Sequence, residues 1–237
     1  MKRRALPMIF ALAIGCHEQP LVSTPAQQAE EHETVESIDA SSTRARYRID
    51  EPAWGQLPFP NDAYLVDGSP TVPKGFPNPR AEEPMFTGIG ELLKARSGFC
   101  TTCNVTFWFD GAVRPETLEG SVAFVDLADG AQLDAEHEWH SDSNELVVRP
   151  VRGSALRPGR RYAVVLSPEV VGGDDKPVRL APELLEDAAL SATLHELADA
   201  GLEPSSLAAF TVFTTDEPIR ELQAIRGHVA ASIPEAT

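Results

Sequence analysis

Short runs of alternating or continuous apolar side chains, separated by turn residues, dominate the chain from residue 104 onward. The alternation predicts strands, and the turn dipeptides Asp129-Gly130 and Pro158-Gly159 separate two pairs of them. A shorter alternation around Tyr47 and Ile49 predicts one more strand. Many short strands with few helices indicate an all-β sandwich. The six main runs are 104–109, 121–127, 132–140, 145–149, 161–167 and 209–215.

Three segments carry helical patterns, at 86–95, 182–200 and 217–231. The second begins with Pro182 and stops at Gly201, and the third follows Asp216, a good N-cap. The third helix has one apolar face and is too short to be stable alone. We expect that face either to fold back on the sandwich or to bind a partner chain. Its residues are Ile219, Leu222, Ile225 and Val229.

The first fifteen residues have the layout of an export signal. Three basic residues at 2–4 precede an apolar run at 5–14, which is too short to span a bilayer. The run ends in Leu12-Ala13-Ile14-Gly15-Cys16, which resembles the lipobox of bacterial lipoproteins. The resemblance implies cleavage before Cys16 and its acylation, which would anchor the protein to a membrane. The alternative is an ordinary secretory signal with a chance cysteine. The residue after the cysteine is His17 and not Asp, which by the sorting rule of enteric bacteria resembles an outer-membrane address.

The predicted organisation has four parts. Residues 1–15 are the signal peptide, and 16–45 are a lipidated flexible tether, since this stretch is rich in Glu, Gln, Ser, Thr and Ala. Residues 46–216 are the β-sandwich with a helical insertion near 182–200, and 217–237 are a C-terminal helix and tail. As a flexible coil the tether would span about 30 Å.

The charge of the chain is strongly negative. Removing residues 1–15 takes away three positive charges and moves the net charge from −16 to −19. Nucleic-acid binding needs basic patches, so we expect no nucleic-acid partner. The acidity also opposes attraction to anionic lipid. The remaining partners are the membrane, through the anchor, and an envelope protein.

Cys100 and Cys103 are the cysteines left after Cys16 is assigned to the anchor. A thioredoxin-like motif would open a helix, but this pair precedes a strand. A zinc site would need a second pair of ligands, and the chain has none with suitable spacing. We therefore predict a local disulfide, which suits an exported protein.

The order of the strand motifs resembles a known domain. Val105-Thr106-Phe107-Trp108-Phe109-Asp110 with Thr117-Leu118, then Leu156-Arg157-Pro158-Gly159 with Tyr162, then Phe213-Thr214-Thr215, are similar to bacterial Ig-like domains of the SbsA type. Upstream, Leu57-Pro58-Phe59-Pro60-Asn61-Asp62 resembles the N-terminal Ig-like module of large secreted bacterial lipases and virulence-factor hydrolases. The resemblance covers about residues 46–220. It implies an Ig-like sandwich with a helical insertion before the last strand.

The departure from those hydrolases concerns catalysis. Their α/β-hydrolase domain would follow the module, whereas this sequence runs only about twenty residues past the last strand, without a Gly-x-Ser-x-Gly nucleophile motif. No catalytic residue can therefore be transferred, and we expect no enzyme activity and no cofactor. The expected function is a non-catalytic binding or structural module. The alternative is the accessory half of a split lipase-like hydrolase whose catalytic domain is encoded separately.

Other chemistry-bearing residues predict little. His137 and His140 are three apart on a strand, so they face opposite sides and form no metal pair. Asp174 and Asp175 leave calcium binding open, although calcium needs six to eight oxygen ligands. His195 is expected to be exposed. The three tryptophans are expected to be core or half-buried residues rather than a ligand-binding face; they are Trp54, Trp108 and Trp139.

Overall fold

A computed structural model describes residues 40–77 and 84–232. The signal peptide, Cys16 and most of the tether lie outside these residues, so the predictions made for them stay predictions. Within the described part, no helix is long and apolar enough to cross a membrane.

Six strands form one antiparallel sheet in the order β3-β6-β5-β4-β7-β8. A separate hairpin, β1 (Leu65–Val66) with β2 (Ser69–Pro70), precedes it. The observed strands lie within one or two residues of the six predicted runs. They are β3 (Val105–Trp108), β4 (Val122–Asp126), β5 (Gln132–His140), β6 (Glu145–Pro150), β7 (Arg161–Leu166) and β8 (Ala209–Thr214).

The long strand β5 makes two layers out of this one sheet. Its first three residues pair with β4, and the residues from Ala135 to His140 pair with β6. Strands that pass from one layer to the other form the corners of β-sandwiches. The curled sheet therefore has one layer of β3, β6 and the end of β5, and a second of β4, β7 and β8. The prediction of an all-β sandwich is confirmed.

The two layers differ in how many of their faces are buried. Strand β6 alternates between half-buried and buried residues, whereas five of six residues in β7 and in β8 are buried. The inner faces share a core that includes Phe107, Phe124 and Phe213. A second apolar cluster, including Val165 and Phe210, covers the outer face of β7 and β8. Burial on both faces explains why these two strands are almost continuously apolar.

The helical insertion covers that outer face, but it is broken. The prediction of one helix over 182–200 is wrong in its middle, because α2 (Pro182–Leu185) ends before α3 (Ser191–Asp199) begins. Between them the Asp187 carboxylate accepts a hydrogen bond from the Ala189 amide, and the fully buried Leu190 turns inward. A local aspartate turn of this kind competes with the helix. The other helices are α1 (Pro84–Lys94) and α4 (Arg220–Ser232).

The Pro-rich segment at 57–62 closes the gap between the edge strands β3 and β8. Phe59 exchanges two backbone hydrogen bonds with Thr106 of β3, with N–O distances of 3.0 and 2.7 Å. Toward β8 the bonding passes through side chains, as the Asp62 carboxylate accepts the Thr214 amide at 2.7 Å. Pro60, which follows a cis peptide bond, has no N–H to donate to a neighbouring strand. The segment therefore protects two edges that would otherwise be open.

The predicted strand around Tyr47 and Ile49 is absent. The backbone there makes one isolated bridge, from Ala45 to Phe109. Tyr47 is held by its side chain instead, with its ring centroid 5.0 Å from that of Phe210. Ser41 already contacts the sandwich, since its amide donates to the Pro177 carbonyl at 2.8 Å. This residue falls inside the stretch assigned to the tether.

The sandwich has two distinct ends. We call proximal the end where the chain enters, formed by residues 41–44, 110–114 and 171–177, which bond to one another. We call distal the end formed by 96–103 and 214–217, where Phe99 pairs with Thr215. Because β3 and β8 are antiparallel, the start of β3 and the end of β8 both lie at the distal end.

Candidate functional site

An apolar pocket of about 410 Å³ lies at the distal end. One wall is α1, which contributes Gly90 and Leu93, and the opposite wall is the loop that follows β2. Phe59 and Phe99 also line the pocket, beside Cys100 and Cys103. This volume falls within the range of small-molecule binding sites, which are mostly apolar in their lining. The loop residues that line it are Thr71, Val72, Pro73, Phe76 and Pro77.

A cluster of aromatic rings holds the loop wall in place. The Trp54 ring lies with its centroid 4.7 Å from Phe76, 5.4 Å from Phe59 and 4.9 Å from Trp108. The Trp54 amide also donates to the Lys74 carbonyl at 2.9 Å. Of these rings, Phe59 and Phe76 line the pocket and Trp108 is buried. Trp54 and Trp108 therefore pack, as expected, and their packing positions the pocket wall.

A hydrogen-bond network around Asp216 holds the part of the pocket lining that contains Arg96 and Gly98. One Asp216 oxygen accepts from the Ser97 amide at 2.9 Å and hydroxyl at 2.8 Å, and the other lies 2.8 Å from Arg96 Nη1. Burial raises the pKa of Asp216, but the hydrogen bonds from Ser97 and Arg96 lower it more, so the net pKa is depressed. Asp216 is therefore engaged by Ser97 and Arg96, and its predicted role as the N-cap of the last helix is wrong.

Glycine is required at position 98, within this hydrogen-bond network. A Cβ on Gly98 would lie 2.7 Å from the Thr214 carbonyl oxygen and 2.8 Å from the Asp216 amide nitrogen. Both are backbone atoms of the chain that leaves β8, which pairs with Phe99 through N–O distances of 2.8 and 2.6 Å. The close approach of the two backbones leaves no room for a side chain.

Cys100 and Cys103 lie at the edge of the pocket with their Cα atoms 5.4 Å apart and their sulfurs paired. This separation is within the usual range for a disulfide. The geometry is that of the local disulfide predicted from the sequence. Their oxidation in the native compartment stays a prediction.

The helix α4 leaves the distal end with its apolar face exposed. Arg96, which lines the pocket, pairs with Asp216, four residues before the helix begins at Arg220. Leu222 is 65% exposed, and the other three residues of the face, Ile219, Ile225 and Val229, are 48–60% exposed. In the structure the face therefore does not fold back on the sandwich, contrary to the first of the two expectations for it.

Below the pocket, Asn61 and Asp62 build a buried polar network that the sequence analysis missed. Asn61 Nδ2 donates to the Tyr47 hydroxyl at 3.2 Å and to Thr211 Oγ1 at 3.0 Å. Burial raises the pKa of Tyr47 to about 12. Burial also raises the pKa of Asp62, although hydrogen bonds from Thr214 and the neighbouring Arg161 guanidinium act to lower it. Asp62 and Asn61 tie the Pro-rich segment to β8, so their role is structural.

The proximal end is polar, and Asp174 is its centre. The Asp174 carboxylate accepts from the Ser41 hydroxyl at 2.6 Å and from the Ser42 amide at 3.0 Å. These hydrogen bonds lower its pKa to about 2, with the Ser41 hydroxyl as the largest cause. Asp175 pairs with Arg114 instead of turning toward Asp174. The two aspartates suggested for calcium thus serve different internal partners, and Asp174 holds the incoming chain.

Three of the described histidines, His137, His140 and His195, lie away from the distal pocket. His140 Nε2 lies 3.8 Å from Glu138 on the exposed side of β5, while His137 shares the half-buried side with Trp139. Trp139 packs its ring 5.8 Å from that of Phe109.

His195 is exposed and its Nδ1 lies 2.7 Å from the Ser191 carbonyl oxygen. Among residues 40–77 and 84–232, no three His, Cys, Asp or Glu side chains converge to hold a metal ion.

Comparison with known proteins gives only distant structural likeness. No protein family and no curated protein matches the sequence. One structure with likeness is the S-layer protein rSbsC(31-844), at 15% identity over 35% of this chain and 12% of that one, with a TM-score of 0.30. Another is domains 1–6 of the surface layer protein SbsC, at 13% identity over 60% of this chain and 17% of that one, with a TM-score of 0.32. Scores at this level establish neither a family nor a function.

Proposed function

We propose that this chain is a non-catalytic lipoprotein of the cell envelope, anchored through Cys16, whose Ig-like sandwich is a binding module. The observation that carries the proposal is the arrangement of the two ends. The chain from the tether enters at the proximal end, where Asp174 holds Ser41 and Ser42. The apolar pocket and the exposed face of α4 lie at the other end. A membrane anchor on this tether would attach the domain through its proximal end, so the distal end is not the point of attachment.

The anchor is tested by changing Cys16→Ser and labelling cells with a clickable fatty acid. We expect the native protein to take up the label and fractionate with the outer membrane, and the variant to lose both properties. Equal labelling of the two proteins would rule out acylation at Cys16. A labelled protein found only in the inner membrane would keep the anchor and overturn the outer-membrane assignment.

The binding role of the distal end is tested by photo-crosslinking in intact cells. A photo-reactive amino acid at Leu222 reports on the face of α4, and the same group at Asp142, in the exposed turn between β5 and β6, is the control. Asp142 lies near the proximal end, because the Phe109 amide donates to the Asn144 carbonyl at 2.9 Å. We expect a defined adduct with an envelope protein from position 222 and none from 142. Equal adducts from both positions, or none from either, would contradict the proposal.

The second candidate is the accessory half of a split lipase-like hydrolase, and the exposed face of α4 favours it. An apolar helix face of this kind commonly packs against a partner. In this case the protein crosslinked to position 222 should carry a Gly-x-Ser-x-Gly nucleophile motif. A partner without such a motif leaves the binding module as the function.

A further inference from the structure

We propose that the distal pocket binds an uncharged alkyl chain. This inference names a ligand class for the binding module proposed above, and its biological meaning rests on that proposed function. The pocket itself is defined by the structure alone. Its ligand class follows from the lining, the charge and the shape of the pocket.

The lining selects against charge. Phe59, Phe76 and Phe99 present rings to the cavity, and Val72 and Leu93 present aliphatic side chains. The one charged side chain in the lining is Arg96, and its guanidinium is already paired with Asp216 at 2.8 Å. A carboxylate ligand would have to share Arg96 with the Asp216 carboxylate, which repels it, in a strongly acidic protein. An ammonium group would approach Arg96 itself, and burying either ion without a partner is costly.

The shape of the pocket depends on Gly90. A Cβ on Gly90 would meet only Val72 Cγ2, at 3.9 Å, so the space beside this position in α1 is open. A larger side chain at 90 would extend into the cavity. Gly88, two residues earlier in the same helix, is exposed, and a Cβ there would have no atom within 4 Å. The two glycines share one helix, and only Gly90 lines the pocket.

The mouth is also apolar. Val72 is 49% exposed and Phe76 is 40% exposed, and both line the cavity. Large apolar side chains left in contact with water around a concave site mark a place where a ligand removes them from solvent. A flexible alkyl chain fits an apolar cavity of this kind, because it needs no hydrogen-bond partner inside.

The test uses the full chain carrying Cys16→Ser, so that no acyl chain of its own is present. A neutral naphthylamine fluorophore reports occupancy of apolar sites, and 1-decanol is added to displace it. Decanoate and decylammonium have the same chain with opposite charges. We expect decanol to bind at least about tenfold more tightly than either ion. Tighter binding of decanoate would overturn the proposal.

The matched pair Gly90→Leu and Gly88→Leu locates the binding. Both variants carry the same change in the same helix and the same N-terminal segment, so binding elsewhere cancels in the comparison. We expect Gly90→Leu to weaken decanol by about tenfold or more and Gly88→Leu to leave it unchanged. Equal decanol affinity in both variants would show that the pocket is not the site. Thermal melts of both confirm that each is folded.

A flotation assay with neutral phosphatidylcholine vesicles distinguishes the sources of the chain. Flotation that Gly90→Leu abolishes and Gly88→Leu retains identifies a lipid acyl chain as the ligand. Decanol binding without flotation identifies a free aliphatic molecule. If decanol does not bind while the crosslink at position 222 persists, the alkyl ligand is overturned. The proposed binding function would then remain intact.

Discussion

Each end of the sandwich is held by an aspartate that accepts several hydrogen bonds, but one end is polar and the other is apolar. At the proximal end an aspartate, Asp174, accepts hydrogen bonds from the incoming chain, and the surroundings are polar. At the distal end an aspartate, Asp216, makes a similar set of bonds with Ser97 and Arg96, but it supports an apolar cavity. A carboxylate that accepts several hydrogen bonds is fully satisfied and fixes the backbone around it. The difference between the ends lies in what surrounds each aspartate.

A glycine stands beside each aspartate, and the two glycines differ in what surrounds them. A Cβ on Gly98 would press on backbone atoms of residues 214–216, whereas a Cβ on Gly172 would overlap the side chains of Ser41 and Asp174. Side chains can rotate away, but two hydrogen-bonded backbones cannot separate without losing their pairing. The position of Gly98 at the distal end is therefore enclosed by main-chain atoms, and that of Gly172 at the proximal end by side chains.

A large difference between two glycine variants follows from this contrast. We expect Gly98→Ala to lower the free energy of unfolding by about 3 kcal/mol, since overpacking against backbone is costly. Gly172→Ala should cost about 1 kcal/mol, close to the loss of the Ser41 hydrogen bond to Asp174. Urea unfolding of both variants measures the difference. A larger loss for Gly172→Ala would contradict this contrast.

The disulfide at the edge of the pocket gives the next effect. Replacing Cys100 and Cys103 by serine should cost at most about 2 kcal/mol, because the loop between them is so short. Unfolding of the double variant is compared with that of the oxidised native protein. Alkylation without reductant, followed by mass spectrometry, tests the bond itself. Two alkylated thiols or stoichiometric zinc in protein from its native compartment would contradict the disulfide.

A smaller effect concerns the response of the proximal end to acid. The folded pKa of Asp174 is about 2, below its ordinary value of 3.8, because Ser41 and Ser42 bond to the ionised form. A depressed folded pKa adds stability above pH 3.8 that is lost as the pH falls toward 2. We expect Asp174→Asn to flatten the decline of stability in this window. An unchanged slope of the unfolding midpoint between pH 4 and 2 would argue against the clamp.

The sequence pattern predicted the strands well and the pocket not at all. Alternation in β6 and continuous apolar runs in β7 and β8 reflect burial on one face or on two, so local sequence carries the signal. The pocket lies between the loop around Phe76 and the helix α1, which are held together by the folded chain and not by a local pattern. The only local sign was large apolar residues within a Pro- and Gly-rich loop. The break between α2 and α3 was missed because the turn at Asp187 overrides the helical periodicity.

The hydrogen-bond partners of the Pro-rich segment were also beyond prediction. Its residues were recognised as a motif, but their partners are distant in sequence: Thr106 lies in β3, and Thr211 and Thr214 lie in β8. Beside Pro60, which has no N–H, the Asn61 side chain donates to Thr211 and the Asp62 carboxylate accepts from the Thr214 amide. No local pattern reveals such pairing, since it depends on the curl of the whole sheet.

The smallest predicted effect is at the exposed helix face. Leu222 of α4 is 65% exposed, whereas Leu197 of α3 is fully buried in the cluster over β7 and β8. Leu197→Asp should lower the free energy of unfolding by about 2–5 kcal/mol, because it removes a core leucine and buries a charge. Leu222→Asp should change it by less than about 0.5 kcal/mol, since the side chain is already in water. Denaturant unfolding of the two variants forms the comparison.

Partner binding gives the second readout for Leu222→Asp. If α4 contacts an envelope protein, the variant should lose the adduct formed from a photo-reactive group at Ile225 of the same face, while its unfolding midpoint stays that of the native protein. A clear drop in the midpoint would mean that the face packs on the sandwich in solution, against the exposure seen in the structure. An unchanged midpoint together with an unchanged adduct would mean that the face is not an interface. The two measurements thus separate packing within the chain from docking outside it.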